Sequence, residues 1–143
     1  MTHGTPIGAE QAIRLTRSAL GVAASLPGQA TRVTRLDGGD AYYLVVVGSP
    51  RAAVGVAAVN AMNGDVETSA RLPGTGPHVL IDERAARALI GDPDAAVDLV
   101  WRPSRASRSQ LYPVWRVRSG GVDTYVDLTG RRWPELGERA SGG

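Results

Sequence analysis

One order of sequence patterns occurs twice in this chain, and it limits the fold more than any other feature. From Ala9 to Ala24, the residues Ala9, Ala12, Ile13, Thr16, Ala19, Leu20 and Ala23 fall on one helical face, opposite Glu10, Arg14, Arg17 and Ser18. That spacing predicts an amphipathic helix, ended by "SLPGQ". Apolar and β-branched runs follow, "TRVTRL", "AYYLVVV", "AAVGVAAV" and "VETSARL", separated by "DGGD", "GSPR" and "NAMNGD". Such punctuation predicts an antiparallel meander of about four strands. "AYYLVVV" barely alternates, so it is expected centrally in a sheet with both faces covered.

After the stretch "LPGTGPH", Leu72 to His78, the order starts again. Asp82 is placed to cap "ERAARALIG", a short helix closed by Gly91. "AAVDLVW", "LYPVWRVR", "VDTYVDL" and "RRWPEL" then read as strands. Laid on each other, Ile7 matches Ile81, Tyr42 matches Tyr112, Leu44 matches Val114, Val47 matches Val117, Val59 matches Val126 and Gly64 matches Gly130. The period, about 70 residues, is far from solenoid periods. The expectation is an α+β protein of two tandem helix plus antiparallel sheet units, two-layered, covering 1–76 and 77–143. "LPGTG" spells a cell-wall sorting signal, but no apolar span and basic tail follow it. It reads instead as a joint, in which Pro73, Gly74, Gly76 and Pro77 interrupt strand pairing.

At 143 residues and 43% hydrophobic, the chain suffices for one compact domain built of two similar halves. It has no cysteine, which excludes disulfides, thiolate metal sites and cysteine nucleophiles. The start "MTHGTPIGAEQ" lacks the basic and apolar segments of a secretory signal, and no run approaches ~18 apolar residues. A cytoplasmic protein that does not enter a membrane is expected. All 16 basic side chains are arginine, and lysine and phenylalanine are absent. With so much Ala, Gly and Val, this is the imprint of a GC-rich genome, so the positions of the arginines carry more information than their number.

Two segments resemble the PepSY-type unit, a helix followed by a three- or four-stranded antiparallel sheet with a "vyvD" strand and a glycine turn. They are "AVNAMNGDV", with Asn60 where Asp is usual, and "YVDLTGRRW", with Asp127 and Gly130. The resemblance spans 7–72 and 80–136 and implies a PepSY/cystatin-like fold. It also implies a largely non-catalytic role, since such units occur in protease propeptides and in inhibitory or chaperone-like modules. Most of those are exported, which this chain's start does not suggest.

Catalytic constellations are scarce. His3 and His78 are the only histidines, in the N-terminal tail and the joint, and no glycine-framed serine elbow or phosphate loop is present. Asp92, Asp94 and Asp98 read as a solvated acidic turn. Neither a metal nor a cofactor is expected. The most distinctive segment is "VWRPSRASRSQLYPVWRVRSG", Val100 to Gly120. Trp101 and Trp115 flank a stretch with Arg102, Arg105 and Arg108, and Arg116 and Arg118 alternate on a strand, without an acid between them. Guanidinium forks beside indoles suit an anion-recognising surface. The competing reading is a mobile, solvated loop between strands whose tryptophans are core.

The function expected is a non-catalytic binding or regulatory module. It would engage an acidic protein or peptide through its sheet face and arginine loop, with Arg102, Arg105, Arg108, Arg116, Arg118 and Trp101 as contacts. Self-association stays open. The alternative is a small enzyme or ligand carrier with a pocket between helix and sheet, contacted by Tyr42, Tyr43, Tyr112, Tyr125 or Arg116. A net charge of +2 argues against nucleic acid.

Overall fold

The computed structural model describes residues 6–137. Among them are two helices and eight strands, an α+β arrangement in which six strand pairs are antiparallel and one is parallel. The described residues divide into two compact units, 6–33 with 38–78, and 34–37 with 79–137. No described helix is long and apolar enough to cross a membrane.

The first unit runs α1 (Ala9–Leu20), β1 (Gly28–Arg35), β2 (Tyr42–Ser49), β3 (Ala52–Asn60) and β4 (Val66–Arg71), with the strands in the order β4-β3-β2-β1. The amphipathic pattern extends to Ala24, yet α1 stops at Leu20. Gly21 takes φ 66°, and its N–H and that of Val22 turn back to the carbonyls of Ser18 and Arg17. This left-handed cap satisfies the orphan carbonyls of the last turn. Ala12, Ile13 and Leu20 pack on Val45, Val47, Ala57 and Val59. Glycine makes the approach possible: a Cβ at Gly55 would lie 2.3 Å from Leu20. On the other face of the strands Tyr42, Leu44, Val56 and Ala58 are also buried, so "AYYLVVV" is central with both faces covered.

The joint is less free than its prolines and glycines suggest. The N–H groups of Leu72 and Gly74 bond to the carbonyls of Val54 and Ala53, and the Ala53 N–H bonds to Gly76. Its turn residues end the regular ladder, but the segment stays clasped to the start of β3.

The second unit runs α2 (Glu83–Ile90), β5 (Ala96–Trp101), β6 (Val114–Ser119), β7 (Val122–Asp127) and β8 (Arg132–Trp133), in the order β5-β6-β7-β8. Asp82 caps α2, accepting from the Ala85 N–H at 2.8 Å, and Gly91 closes it with φ 80°. β6 begins only at Val114, and β8 ends before Pro134, because proline cannot donate to a ladder. Trp115, Val117, Leu99 and Val126 are buried, and α2 packs on β5 and β6. The parallel pair is short: Thr34 and Arg35, which belong with this unit, pair with Val100 and Trp101.

Three details recur in the two units. Asn60 accepts from the N–H groups of Met62 and Asn63, as Asp127 accepts from those of Thr129 and Arg131, and a positive-φ glycine, Gly64 or Gly130, completes each turn. Each of those glycines faces the isoleucine before the helix, Ile7 or Ile81. The carbonyl of that isoleucine accepts from an aromatic side chain, the Tyr43 hydroxyl (3.3 Å) or the Trp115 indole (2.7 Å).

These details correct the alignment of the second strands. Asn60 lies opposite Tyr42, and Asp127 opposite Val114, so Val114 takes the place of Tyr42, and Trp115 that of Tyr43. The pairing of Leu44 with Val114 slips by two residues. Side chains alternate with period two, so a two-residue slip keeps every apolar residue on its face and leaves no trace in the hydrophobic pattern.

Candidate functional site

The six residues singled out in the sequence fall into three settings. Trp101, at the end of β5, is only 5% exposed and lies beneath the Arg35 guanidinium, 5.3 Å from the ring centre. It is core, with little surface to offer a partner.

Arg102, Arg105 and Arg108 lie in the connection 102–113 between β5 and β6. The sequence "SRASRS" alternates roles here: Ser104 and Ser107 are buried, whereas Arg105 and Arg108 are exposed. The serines replace the backbone partners that a strand would supply. Ser104 N–H donates to the Ser107 carbonyl (2.9 Å), and Ser107 N–H to Ser104 Oγ (3.2 Å). The Ser107 hydroxyl donates to the Ser109 carbonyl (3.0 Å), and Ser109 Oγ accepts from Leu111 N–H (3.1 Å). Buried Leu111 and Pro113 anchor the far end, and Ala106 packs with Leu36 on Val100, Val114 and Leu136. Arg102 is half-buried, with Nη1 3.4 Å from its neighbour's carbonyl. Arg105 lays its stem along Gly137. Neither Arg105 nor Arg108 forms an ion pair with a described residue.

Arg116 and Arg118 stand on β6, on the face away from Trp115 and Val117. Each meets an acid from a neighbouring strand that the linear sequence does not place beside it. Arg116 clasps Asp98 of β5 with two bonds (3.0 and 2.7 Å), and Arg118 clasps Asp123 of β7 (2.7 and 3.0 Å). Both acids occupy directly opposed register positions. The fork from Asp98 holds the Arg116 guanidinium above its ordinary pKa, against the opposing effect of burial. The Arg118–Asp123 bond likewise raises the arginine and lowers the carboxyl. The register continues outward: Tyr125 lies opposite Arg116, and Trp133 opposite Tyr125, with Arg131 stacked 4.2 Å over the Trp133 ring. A polar and aromatic row, Asp98–Arg116–Tyr125–Trp133, therefore crosses four strands.

Of the tyrosines of the alternative reading, Tyr42 is fully buried, Tyr43 serves Ile7, Tyr112 is half-exposed in the arginine loop, and Tyr125 lies opposite Arg116. Asp92, Asp94 and Asp98 also diverge. Asp92 accepts from Ser119 and the Asp94 N–H, which hold its carboxyl below the usual range, while Asp98 serves Arg116. Among the described residues, no group of three or more His, Cys, Asp or Glu side chains is placed to hold a metal. His3 lies outside the described residues.

Two hollows open on the second unit. One of about 590 Å³ runs along α2 past Arg84, Arg87, Gly91 and Pro93, and Arg87 is already engaged by Glu83 and the Ala95 carbonyl. The other, about 180 Å³, is lined by Ala96, Val97, Asp98, Arg116 and Arg118. Comparison with protein-family models, with curated proteins and with solved structures finds no match for this chain.

Proposed function

We propose that this protein is a non-catalytic binding module that engages an acidic protein or peptide partner through the arginine loop and the Arg116 face of the second unit. One observation carries the reading: buried Ser104 and Ser107 fix a loop from which Arg105 and Arg108 project, without an ion-pair partner among the described residues. Cations held in place lose less freedom on binding than cations on a mobile loop, so anion capture is favoured. The Arg116 face is less suited to a polyanion. Asp98, Asp123 and Asp127 alternate there with Arg116, Arg118 and Arg131, which favours a partner of mixed charge over nucleic acid.

We read the two units as tandem PepSY-type copies. The shared Asn60 and Asp127 turns, the isoleucine under each turn glycine and the aromatic bonded to its carbonyl support that reading.

The test is titration of a hexaglutamate peptide into the protein and into the variant with Arg102, Arg105 and Arg108 all replaced by Gln, over a range of salt. The wild type should bind with an affinity that falls as salt rises, and the variant more weakly with a flatter response. Identical binding and salt slopes would remove the loop from the interface.

A further inference from the structure

We infer that the acid taken by the arginine loop is a phosphoryl group carried on a peptide, bound by Arg105 and Arg108 through side chain and backbone together. The inference rests on the loop reading above and narrows the partner's acid from any carboxylate to a phosphate ester.

The charge of the loop supplies the first argument. The connection 102–113, "RPSRASRSQLYP", carries three arginines and no acid. Arg116 and Arg118 are neutralised by Asp98 and Asp123, whereas Arg105 and Arg108 have no ion-pair partner among the described residues. Both are exposed. A carboxylate brings one negative charge, whereas a phosphate ester brings roughly −1.5 to −2 and three acceptor oxygens. Two uncompensated guanidiniums match the phosphate ester better.

The backbone supplies the second. The N–H groups of Ser104, Ala106 and Ser107 are bonded within the unit, to Ser107, Leu136 and Ser104. Those of Arg105 and Arg108 have no described partner. The same two residues therefore offer both guanidinium and amide donors, the kinds of group that hold tetrahedral anions in phosphate sites. They also leave the chain close together. The bond from Ser104 N–H to the Ser107 carbonyl, 2.9 Å long, closes 104–107 into a ring, in which Arg105 lies and after which Arg108 follows. The stem of Arg105 is set further by its packing along Gly137.

The surroundings select a peptide over a free ion. Neither Arg105 nor Arg108 lines either hollow of this unit. An ion pair on an open surface contributes only about 0–1 kcal/mol, so contacts beside the anion decide the affinity. The Tyr112 ring, 50% exposed in the same loop, offers one. Residues flanking a phosphorylated side chain can reach that ring, and inorganic phosphate cannot.

The probe is the peptide acetyl-Gly-Ala-phosphothreonine-Val-Gly-amide, compared on isotope-labelled protein with twins carrying Glu or unmodified Thr at the centre. The phosphopeptide should shift the amide and Nε resonances of Arg105 and Arg108. It should bind about tenfold more tightly than the Glu twin, the worth of one further hydrogen bond to a charged group. The Thr twin should give no saturable shift, and inorganic phosphate should compete only at far higher concentration. Replacing Arg105 and Arg108 together by Gln, both at exposed positions, should abolish the difference between the phosphopeptide and the Glu twin. Equal affinity of those two peptides for the wild type, with both dependent on the loop, would overturn the inference and leave the loop reading intact. Binding of both peptides that is unchanged in the double variant would overturn the two together. Inorganic phosphate binding as tightly as the phosphopeptide would overturn the peptide as carrier, and tighter binding to phosphatidylglycerol vesicles would assign the loop to a lipid surface instead.

Discussion

The connection between the first two strands after each helix differs sharply between the two halves of the chain. After α1 it is the six residues 36–41, "LDGGDA", with Gly38 at φ 88°. After α2 it is the twelve residues 102–113, braced by three serines and carrying three arginines. Six residues suffice to reverse the chain, so the extra length of the second connection is not demanded by strand pairing. Insertions that a scaffold does not need concentrate function. The comparison teaches where to look: the elements common to both halves hold the fold, and the loop they do not share is where the recognition surface is proposed.

The largest expected effect tests the common part. Trp115 is 8% exposed and donates to Ile81, so Trp115→Ala should cost about 3–5 kcal/mol, read as a lower urea midpoint. Tyr43→Phe in the first unit removes only the matching bond to Ile7 and should cost about 1 kcal/mol. An unchanged midpoint for Trp115→Ala would break the equivalence of the two scaffolds.

The turn residues sharpen it. The outward end of Asn60 donates weakly toward Asp40 and Glu67 (3.3 and 3.4 Å), while that of Asp127 accepts from the Trp133 indole (3.0 Å). Each turn thus selects its own polarity. Asn60→Asp would set a third carboxylate against two, and should cost about 2–3 kcal/mol at neutral pH. Its raised pKa makes that cost smaller in acid and larger as pH rises. The pKa of Asp127 is shifted the other way. Burial pushes its pKa up, but bonds from Thr129, Trp133 and Arg131 outweigh that and hold it below the ordinary value. Its contribution is present above the unfolded value, near 3.9, and is lost as pH falls through the lower folded one. Asp127→Asn should therefore cost about 1–2 kcal/mol at pH 7 and much less near pH 2. Relative to wild type, the denaturation midpoints of both variants should fall as pH rises from 2 to 8, Asn60→Asp chiefly above about pH 3.9 and Asp127→Asn chiefly below it, and changes confined to the same window would refute the assignment.

The smallest effect concerns the loop. Replacing Arg102, Arg105 and Arg108 together by Gln should change stability by no more than about 0.5 kcal/mol per site, because the fold leans on Ser104, Ser107, Leu111 and Pro113. A large loss of stability would make these arginines structural and remove the contrast between scaffold and loop.

Much of the scaffold was legible because its signals are local. Asp82 and Gly91 bound α2 where capping chemistry puts them, and Asn60–Gly64 and Asp127–Gly130 mark both turns. What was not legible depends on register. The two-residue slip at β6 is invisible to a period-two pattern. Asp98 and Asp123 become partners of Arg116 and Arg118 only once three strands are aligned. So a run of five arginines without an acid in the sequence becomes two clasped pairs and a separate loop in space. Trp101 looked like a flank of that loop, but it closes β5 as core, since a strand's last residue is as readily buried as its first. The inward serines did have a signal, the repeated Ser-Arg step at 104–105 and 107–108, which only the loop's hydrogen bonds make meaningful.

Amide hydrogen exchange across 102–113 tests the central claim, that a fixed loop presents the arginines. Ser104, Ala106 and Ser107 have bonded N–H groups, to Ser107, Leu136 and Ser104 respectively, whereas those of Arg105 and Arg108 have no described partner. The account predicts slow exchange at the first three and fast exchange at the two arginines, an alternation within one loop. Uniform exchange at the rate of an unstructured chain would mean a mobile connection, and would contradict it.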